Sequence, residues 1–580
     1  MAVTATTLRS APGRSRPSGL RRWAALIALA AACATLTLAD DFLQQMTSPH
    51  NLSRLELPWA LALFGMHLCL WLGGRRWPAN LLLAAFALMQ LLQLCHIAAM
   101  GRPLTPVDLA MIPRETPDIA EAAWAGARTH WPTLLTGALP YAALFALYNL
   151  GLPRWPLPRA PLALLVLAFA LATKPYKAGQ RAMPQYMPAP ARSSLHNSIN
   201  TFSFYAANLL GKPVHSYNLQ YQPYRVARTP PPASAVPQNL WLVIFDSTRS
   251  DHWGVAGYAR DTTPTLSRWV AQGQARWHHG IAGATATSAS LALLINGVRE
   301  PGNLAQQRSY RTNLMRLAKA AGYRTHWLST QSPNLLNELD VASIDVVRTR
   351  DSDLKRVIAV RDDAILDMAR RVAPDTRNFV VIMVRTAHLP YEKNYAHHGQ
   401  RYARWPTAPT LPFHTRQRNA YDNAILYQDA LIAQLYQRFE ALPGKGLFVV
   451  TSDHGQMLGE NGVWGHNVLT PQVAQVPVLV RARGLRDHLP PGNGGWISHY
   501  GLGRALMAQL GYRIDNPNIE SGVDYLQGSN LYTDNPFREV GVRDGRLRLG
   551  EMYSLSELDA DLSRYALRPS GQAPNVRASE

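Results

Sequence analysis

Asn239-Leu-Trp-Leu-Val-Ile-Phe-Asp246 is a short apolar run that ends in a carboxylate. Its length and composition read as a buried β-strand. Two further runs share this form: Phe379–Val384, closely followed by His388, and Leu447–Thr451, which leads into Asp453 and His454. Helical stretches lie between them. That alternation predicts an α/β domain with a central, mainly parallel sheet covered by helices. Three strands then deliver carboxylate or imidazole groups at their C-terminal ends, where ligand sites of such sheets form.

Upstream, the character of the chain changes. Five apolar segments, near 23–39, 57–73, 79–99, 133–151 and 157–174, each approach the ~20 residues that a helix needs to cross a bilayer. Gln90, Gln93 and His96 in the third, and the prolines that open the fifth, make those two boundaries the least sharp. The expected organisation is a helical membrane domain over residues 1–175, a linker over 176–237 and a catalytic domain over 238–580. Ser194–Leu210 reads either as a membrane-surface segment or as part of an ordered linker, and Pro230, Pro231 and Pro232 mark the linker's end.

Basic residues orient the spans. Arg9, Arg14, Arg16, Arg21 and Arg22 precede the first; Arg75 and Arg76 follow the second, and Arg154 and Arg159 the fourth. This pattern puts the N-terminus in the cytoplasm and the large domain on the far side of a bacterial inner membrane, in the periplasm. A cleaved signal peptide is the alternative reading of the first span, and it leaves the large domain on the same side.

The formal charge of +20 is scattered and forms no nucleic-acid reading motif, so anionic lipid head groups account for it more simply. The three cysteines, Cys33, Cys69 and Cys95, all fall in apolar segments, which leaves none for a thiolate metal site in the large domain.

Two carboxylates, one imidazole and one hydroxyl oxygen complete a four-coordinate zinc site. The hydroxyl is expected from a nucleophile, because a Ser or Thr held by a metal loses its proton far more readily than a free one. Ala284-Thr-Ala-Thr-Ser-Ala-Ser-Leu-Ala-Leu-Leu-Ile-Asn-Gly297 offers hydroxyls just ahead of an apolar helix, whose N-terminus would hold a phosphate. Each feature alone has a plain structural reading as a cap or turn residue.

Phe245-Asp-Ser-Thr-Arg-Ser-Asp-His-Trp-Gly254, running on to Thr263-Pro264, resembles the opening motif of sulfatases and their transferase relatives. Ser452-Asp-His-Gly455, Val463-Trp-Gly-His466 and Val476-Pro477 are similar to the second metal motif of that superfamily. Gly322-Tyr-Arg-Thr-His-Trp-Leu-Ser-Thr-Gln331 and Asn419-Ala-Tyr-Asp-Asn-Ala-Ile-Leu-Tyr-Gln-Asp429 resemble the phosphoethanolamine transferases in particular, including those that modify lipid A. The resemblance implies that Asp246, Thr287, Asp453 and His454 bind the metal, with Zn2+ expected and Mn2+ as the alternative. It implies Thr287 as nucleophile, ten residues before Gly297, with Thr285 as the minor alternative. His388 and His466 match substrate-binding and catalytic histidines; Asp251, His252, His278, His279, His397, His398 and His414 are read as structural, surface or secondary.

Formylglycine-type sulfatase chemistry is excluded, since Ala289 and Leu291 stand where its Pro and Arg belong. Asp246 in place of the usual Glu, and the lack of cysteines in the large domain, weaken a lipid A acceptor. The implied activity moves phosphoethanolamine from phosphatidylethanolamine through a phospho-threonine to an envelope glycan or lipid. Phosphoglycerol transfer and a phosphodiesterase on the same fold are the alternatives; a membrane scaffold with a decayed site is the non-enzymatic one.

Overall fold

The computed structural model describes residues 19–42, 55–100, 102–112, 131–151, 157–210, 219, 221–229, 236–485, 495–518, 523–531, 535–555 and 558, without 133, 136, 182, 190 and 191. Arg9, Arg14, Arg16, Arg154 and the prolines at 230–232 lie outside them. The chain forms two compact units, the first made mainly of residues up to 208 and the second mainly of residues from 209 onward.

In the first unit each of the five apolar segments contains a helix among its described residues, although 157–162 at the start of the last one are not helical. Four have sharp bounds, Gly19–Thr37, Leu57–Gly73, Arg76–Met100 and Ala163–Ala178, and the fifth runs over 137–151. Gly19–Thr37 and Arg76–Met100 are long and apolar enough to cross a membrane. Leu61, Leu81, Leu88, Leu139, Leu165 and Phe169 point outward from these helices, an apolar exterior that suits lipid rather than water.

Inside the unit, polar groups meet one another. The helix Ser194–Phe204 buries Ser194, Asn197, Ser198, Asn200 and Thr201. Ser198 donates to Gln90 Oε1 at 2.5 Å, the Ser194 N–H donates to Asp41 at 2.6 Å, and Gln90 donates to Asp40. Gln90 and Gln93, the two residues that blurred the third segment, are therefore buried anchors; Gln93 accepts the Leu104 N–H at 3.0 Å.

The second unit is built on an eight-stranded sheet. We number its strands in chain order: β1 Asn239–Phe245, β2 Arg276–Ile281, β3 Arg324–Ser329, β4 Val346–Arg348, β5 Asn378–Val384, β6 Gly446–Ser452, β7 Gln475–Arg483 and β8 Trp496–Ser498. Across the sheet the order is β8-β2-β7-β6-β1-β5-β3-β4. Only the β2–β7 and β7–β6 pairs are antiparallel, so the sheet is mainly parallel, as the strand–helix alternation predicts.

β1 lies at the centre and is buried along its whole length. Trp241, Val243 and Phe245 enter one core with the long helix Phe413–Glu440; Leu240, Leu242 and Ile244 enter the other with helices Thr287–Asn296 and His499–Gln509. A strand covered on both faces needs apolar residues at every position, which is why it reads as a run rather than an alternation.

Register then places the chemistry. Phe245 pairs with Val384 on one side and Ser452 on the other. The ladder continues one step, with the Asp453 N–H donating to Phe245 O at 2.9 Å and the Asp246 N–H to Val384 O at 3.0 Å. Asp246 and Asp453 therefore leave neighbouring strand ends side by side.

Helix Thr287–Asn296 ends at Gly297, which adopts φ 58° and ψ 43°. A Cβ there would be strained in this left-handed conformation and would collide with Met507 Cε of the helix beneath. Gly297→Ala should lower the free energy of unfolding of the second unit by about 1–3 kcal/mol, seen as a lower denaturation midpoint. An unchanged midpoint would show that the helix end relaxes freely.

Candidate active site and metal centre

Asp246, Asp453 and His454 each place one ligand atom within 4.8 Å of the other two, and all three are buried. His454 Nε2 stands 3.4 Å from Asp453 Oδ2 and 3.3 Å from the Thr287 hydroxyl. The first residue of a ten-residue helix, Thr287 sits where unpaired backbone N–H groups and the helix dipole favour an anion. Ser290, one turn further on, donates to the Asp453 carbonyl at 2.5 Å and ties the helix start to the β6 strand end.

Thr285 has a different fate. Its hydroxyl faces Ser529 Oγ at 3.4 Å, and its N–H pairs with the Gln527 carbonyl at 2.9 Å. Of the two threonines, Thr287 is the one beside His454.

The two outer histidines gather at the same place. The His466 ring stacks on His454 with centroids 4.2 Å apart, and His388 lies 6.3 Å from His466. His466 Nδ1 is 2.7 Å from the Thr285 carbonyl, and His388 Nδ1 is 2.7 Å from the Leu389 carbonyl. For His466 the carbonyl partner places the proton of a neutral ring on Nδ1, so in that state its Nε2 carries the lone pair. Arg385 Nη2, 3.2 Å from His388 Nδ1, adds a cation to this edge of the site.

Several residues that sequence reasoning did not single out complete the cluster. Ser247, at φ 58°, bridges both carboxylates: its hydroxyl donates to Asp246 Oδ1 at 2.7 Å and its N–H to Asp453 Oδ1 at 3.0 Å. A serine held in the left-handed region stores backbone strain, a common mark of functional sites. Gln331 donates to Asp246 Oδ2 at 3.1 Å. His499 lies beneath, its Nδ1 3.2 Å from Ser290 Oγ and its Nε2 2.9 Å from the Ser452 carbonyl. Gln331 closes a quoted motif and Ser247 follows Asp246 directly; His499 carries no such signal.

Asp251 pairs with Arg249 at 2.6 Å and His252 with Asp422 at 2.7 Å, both structural contacts. His414 stacks on Trp464, while His278 and His279 lie on β2.

The electrostatics favour a cation. Burial pushes Asp453 up to about 6, against the pull of the Thr287 hydroxyl and the Ser247 and His454 N–H groups. Burial, and then the neighbouring Asp453 charge, also raise Asp246. Burial lowers His454 to about 4, which leaves a neutral imidazole near pH 7. Asp453 Oδ2 is buried and meets no partner in hydrogen-bonding geometry. Two buried carboxylates, a neutral imidazole and a hydroxyl fit a divalent metal ion, which would remove the mutual repulsion.

Known proteins resemble part of this chain. Residues 238–512 match the Sulfatase family. Over part of its length the chain is similar to the Kdo(2)-lipid A phosphoethanolamine 7''-transferase of Salmonella typhimurium, 25% identical over 253 residues that cover 41% of this chain and 43% of the relative. It is also similar to phosphoethanolamine transferase EptC of Escherichia coli K12, 27% identical over 233 residues, covering 38% and 40%. The chain thus spans less than half the length of these curated relatives. The integral membrane protein lipooligosaccharide phosphoethanolamine transferase A (EptA) from Neisseria meningitidis shares the fold more broadly, with TM-score 0.50 and 16% identity over 84% of this chain and 95% of that one.

Metal binding to this centre must displace the proton that Asp453 carries below about pH 6. Zinc affinity of the metal-stripped protein should therefore fall as pH drops through 6 and level off above it. Calorimetric titrations in buffers of different ionisation enthalpy should show protons released below pH 6. Affinity that is flat between pH 5 and 7 would contradict the raised carboxylate.

Proposed function

We propose that this protein is a metal-dependent phosphoethanolamine transferase of a bacterial inner membrane. The supporting observation is the hydroxyl of Thr287, 3.3 Å from His454 Nε2 at a helix N-terminus and beside two buried carboxylates. The names of the similar transferases supply the substrate class.

Asp246, Thr287, Asp453 and His454 would hold the ion, with zinc suited to the mixed oxygen and nitrogen set. When bound, it supplies Lewis-acid stabilisation of negative oxygen and eases loss of the threonine proton. The chain's own groups do the rest. Thr287 Oγ1 attacks the phosphorus of phosphatidylethanolamine in line, a P–O bond to threonine forms, and the bond to diacylglycerol breaks. Backbone N–H groups at the helix start hold the nonbridging oxygens. His388 and His466 hold the phosphoryl oxygens, take up the Thr287 proton and pass it to the departing diacylglycerol alkoxide. A hydroxyl of an envelope glycan or lipid then attacks the same phosphorus, its proton passes through the same histidines to Thr287 Oγ1, and Thr287 is freed.

The domain plan completes the reading: residues 1–175 as the multi-pass membrane domain, 176–237 as linker and 238–580 as the periplasmic catalytic domain. The membrane helices would bring the site to a lipid donor.

Thr287→Ala should abolish transfer of a labelled ethanolamine head group, a loss of at least about 10³-fold, with the circular dichroism spectrum unchanged. Intact-mass analysis of wild type with phosphatidylethanolamine should show a phosphoethanolamine adduct on Thr287. A phosphoglycerol adduct from phosphatidylglycerol instead would reassign the head group, and full activity in Thr287→Ala would remove the nucleophile.

A further inference from the structure

A second group of metal-ligating side chains converges outside the Thr287 centre. Asp363 ends the turn Arg361–Asp363, and His397 and His398 lie in the turn Ala396–His398. His397 Nε2 is 3.3 Å and His398 Nε2 3.0 Å from one and the same atom, Asp363 Oδ2. One ligand atom from each residue lies within 4.8 Å of the other two. The other carboxylate oxygen accepts the Tyr427 hydroxyl at 2.7 Å, which fixes the orientation of the group. The three side chains are 17–21% exposed, at the edge of solvent.

Hydrogen bonding accounts for only one of the two histidine contacts, that of His397 Nε2 with Asp363 Oδ2. His398 Nε2 is shielded from water and, despite lying 3.0 Å from Oδ2, finds no partner in hydrogen-bonding geometry. Burial holds His398 below its ordinary range, so near pH 7 its ring is neutral and has a lone pair to give. Ligand atoms about 2.0–2.1 Å from a tetrahedral zinc ion stand about 3.3 Å from one another, and the two nitrogen–oxygen separations here are close to that edge. The Tyr427 hydroxyl supplies the outer support that metal-binding carboxylates receive.

We propose that Asp363, His397 and His398 form a separate binding site for a divalent transition metal of the zinc class, with water at the fourth position. The ion ties the segment after His388 to the turn that carries Asp362. Asp362 in turn accepts hydrogen bonds from Thr330 and, at 2.7 Å, from Thr386. Thr330 adjoins Gln331, the donor to Asp246, and Thr386 lies two residues before His388. The site thus braces two arms of the Thr287 centre, and it stands whether or not that centre transfers phosphoethanolamine.

The test is zinc content by plasma mass spectrometry of the full-length chain in detergent, stripped by chelator and dialysed against zinc. Wild type should hold one equivalent more than the His397→Ala/His398→Ala pair or the milder His398→Gln. Asp453→Asn, which damages the other centre, should keep this equivalent. Cobalt substituted into Asp453→Asn should give visible ligand-field bands that His398→Gln abolishes. Equal zinc in wild type and either folded histidine variant would overturn the proposal, as would cobalt bands that survive His398→Gln.

Discussion

One parallel ladder carries the architecture of the second unit. Three strands, β6, β1 and β5, run side by side in register, and the paired positions Ser452, Phe245 and Val384 are the last before the chain turns away. Parallel pairing with this register aligns all three ends at one edge. Whatever follows the last residue of each strand is delivered to a common place, and here that is Asp453 and His454, Asp246, and the loop leading to His388. The price of this convergence is two carboxylates in a low-dielectric interior, which raises both and leaves Asp453 Oδ2 without a hydrogen bond. Ser247 eases the repulsion by donating to both, at the expense of a left-handed backbone, and a cation completes the neutralisation.

The framework was legible because it rests on composition that periodicity exposes. Asn239–Phe245, Asn378–Val384 and Gly446–Ser452 are apolar along most of their length and buried at every position, as cover on both faces requires. The acidic residues after them stood out by contrast. Gln331 and His499 act through contacts 85 and 209 residues away in sequence, with Asp246 and Ser290 respectively. Gln331 closes a recognisable motif without revealing its partner, and His499 has no local signature at all. The pair His397-His398 looked like surface because its partner, Asp363, is 34 residues upstream.

The first unit shows the opposite case, in which a blemish in the sequence was a signal. Gln90, Gln93 and His96 interrupt an apolar run and blur the edges of a membrane span. Each finds a partner inside the unit: Gln90 in Asp40 and Ser198, Gln93 Oε1 in the Leu104 N–H, and His96 in the Arg102 carbonyl at 2.9 Å. Polar groups within apolar helices are expensive unless paired, so their presence pointed to partners elsewhere in the chain. The helix Ser194–Phe204 provides some of them, which is why a stretch with the composition of a linker packs as part of the helical unit.

Thr285 and Thr287 show how finely the site separates similar groups. They differ by one intervening alanine, and both offer a hydroxyl in the same segment. Residue 285 still precedes the helix and donates its N–H to Gln527, while its side chain faces Ser529 and its carbonyl holds His466. Residue 287 begins the helix, and the turn of the backbone between them swings its hydroxyl toward His454. The bridge to Gln527 matters because it pins the chain before the helix can start. Without it the helix could begin a residue earlier or later, and the hydroxyl would rotate by about 100° around the axis, away from the carboxylates. The small sheet formed by Asp524–Gln527, Phe537–Arg543 and Arg546–Tyr553 is thereby more than a C-terminal appendage: it sets the phase of the helix that presents Thr287.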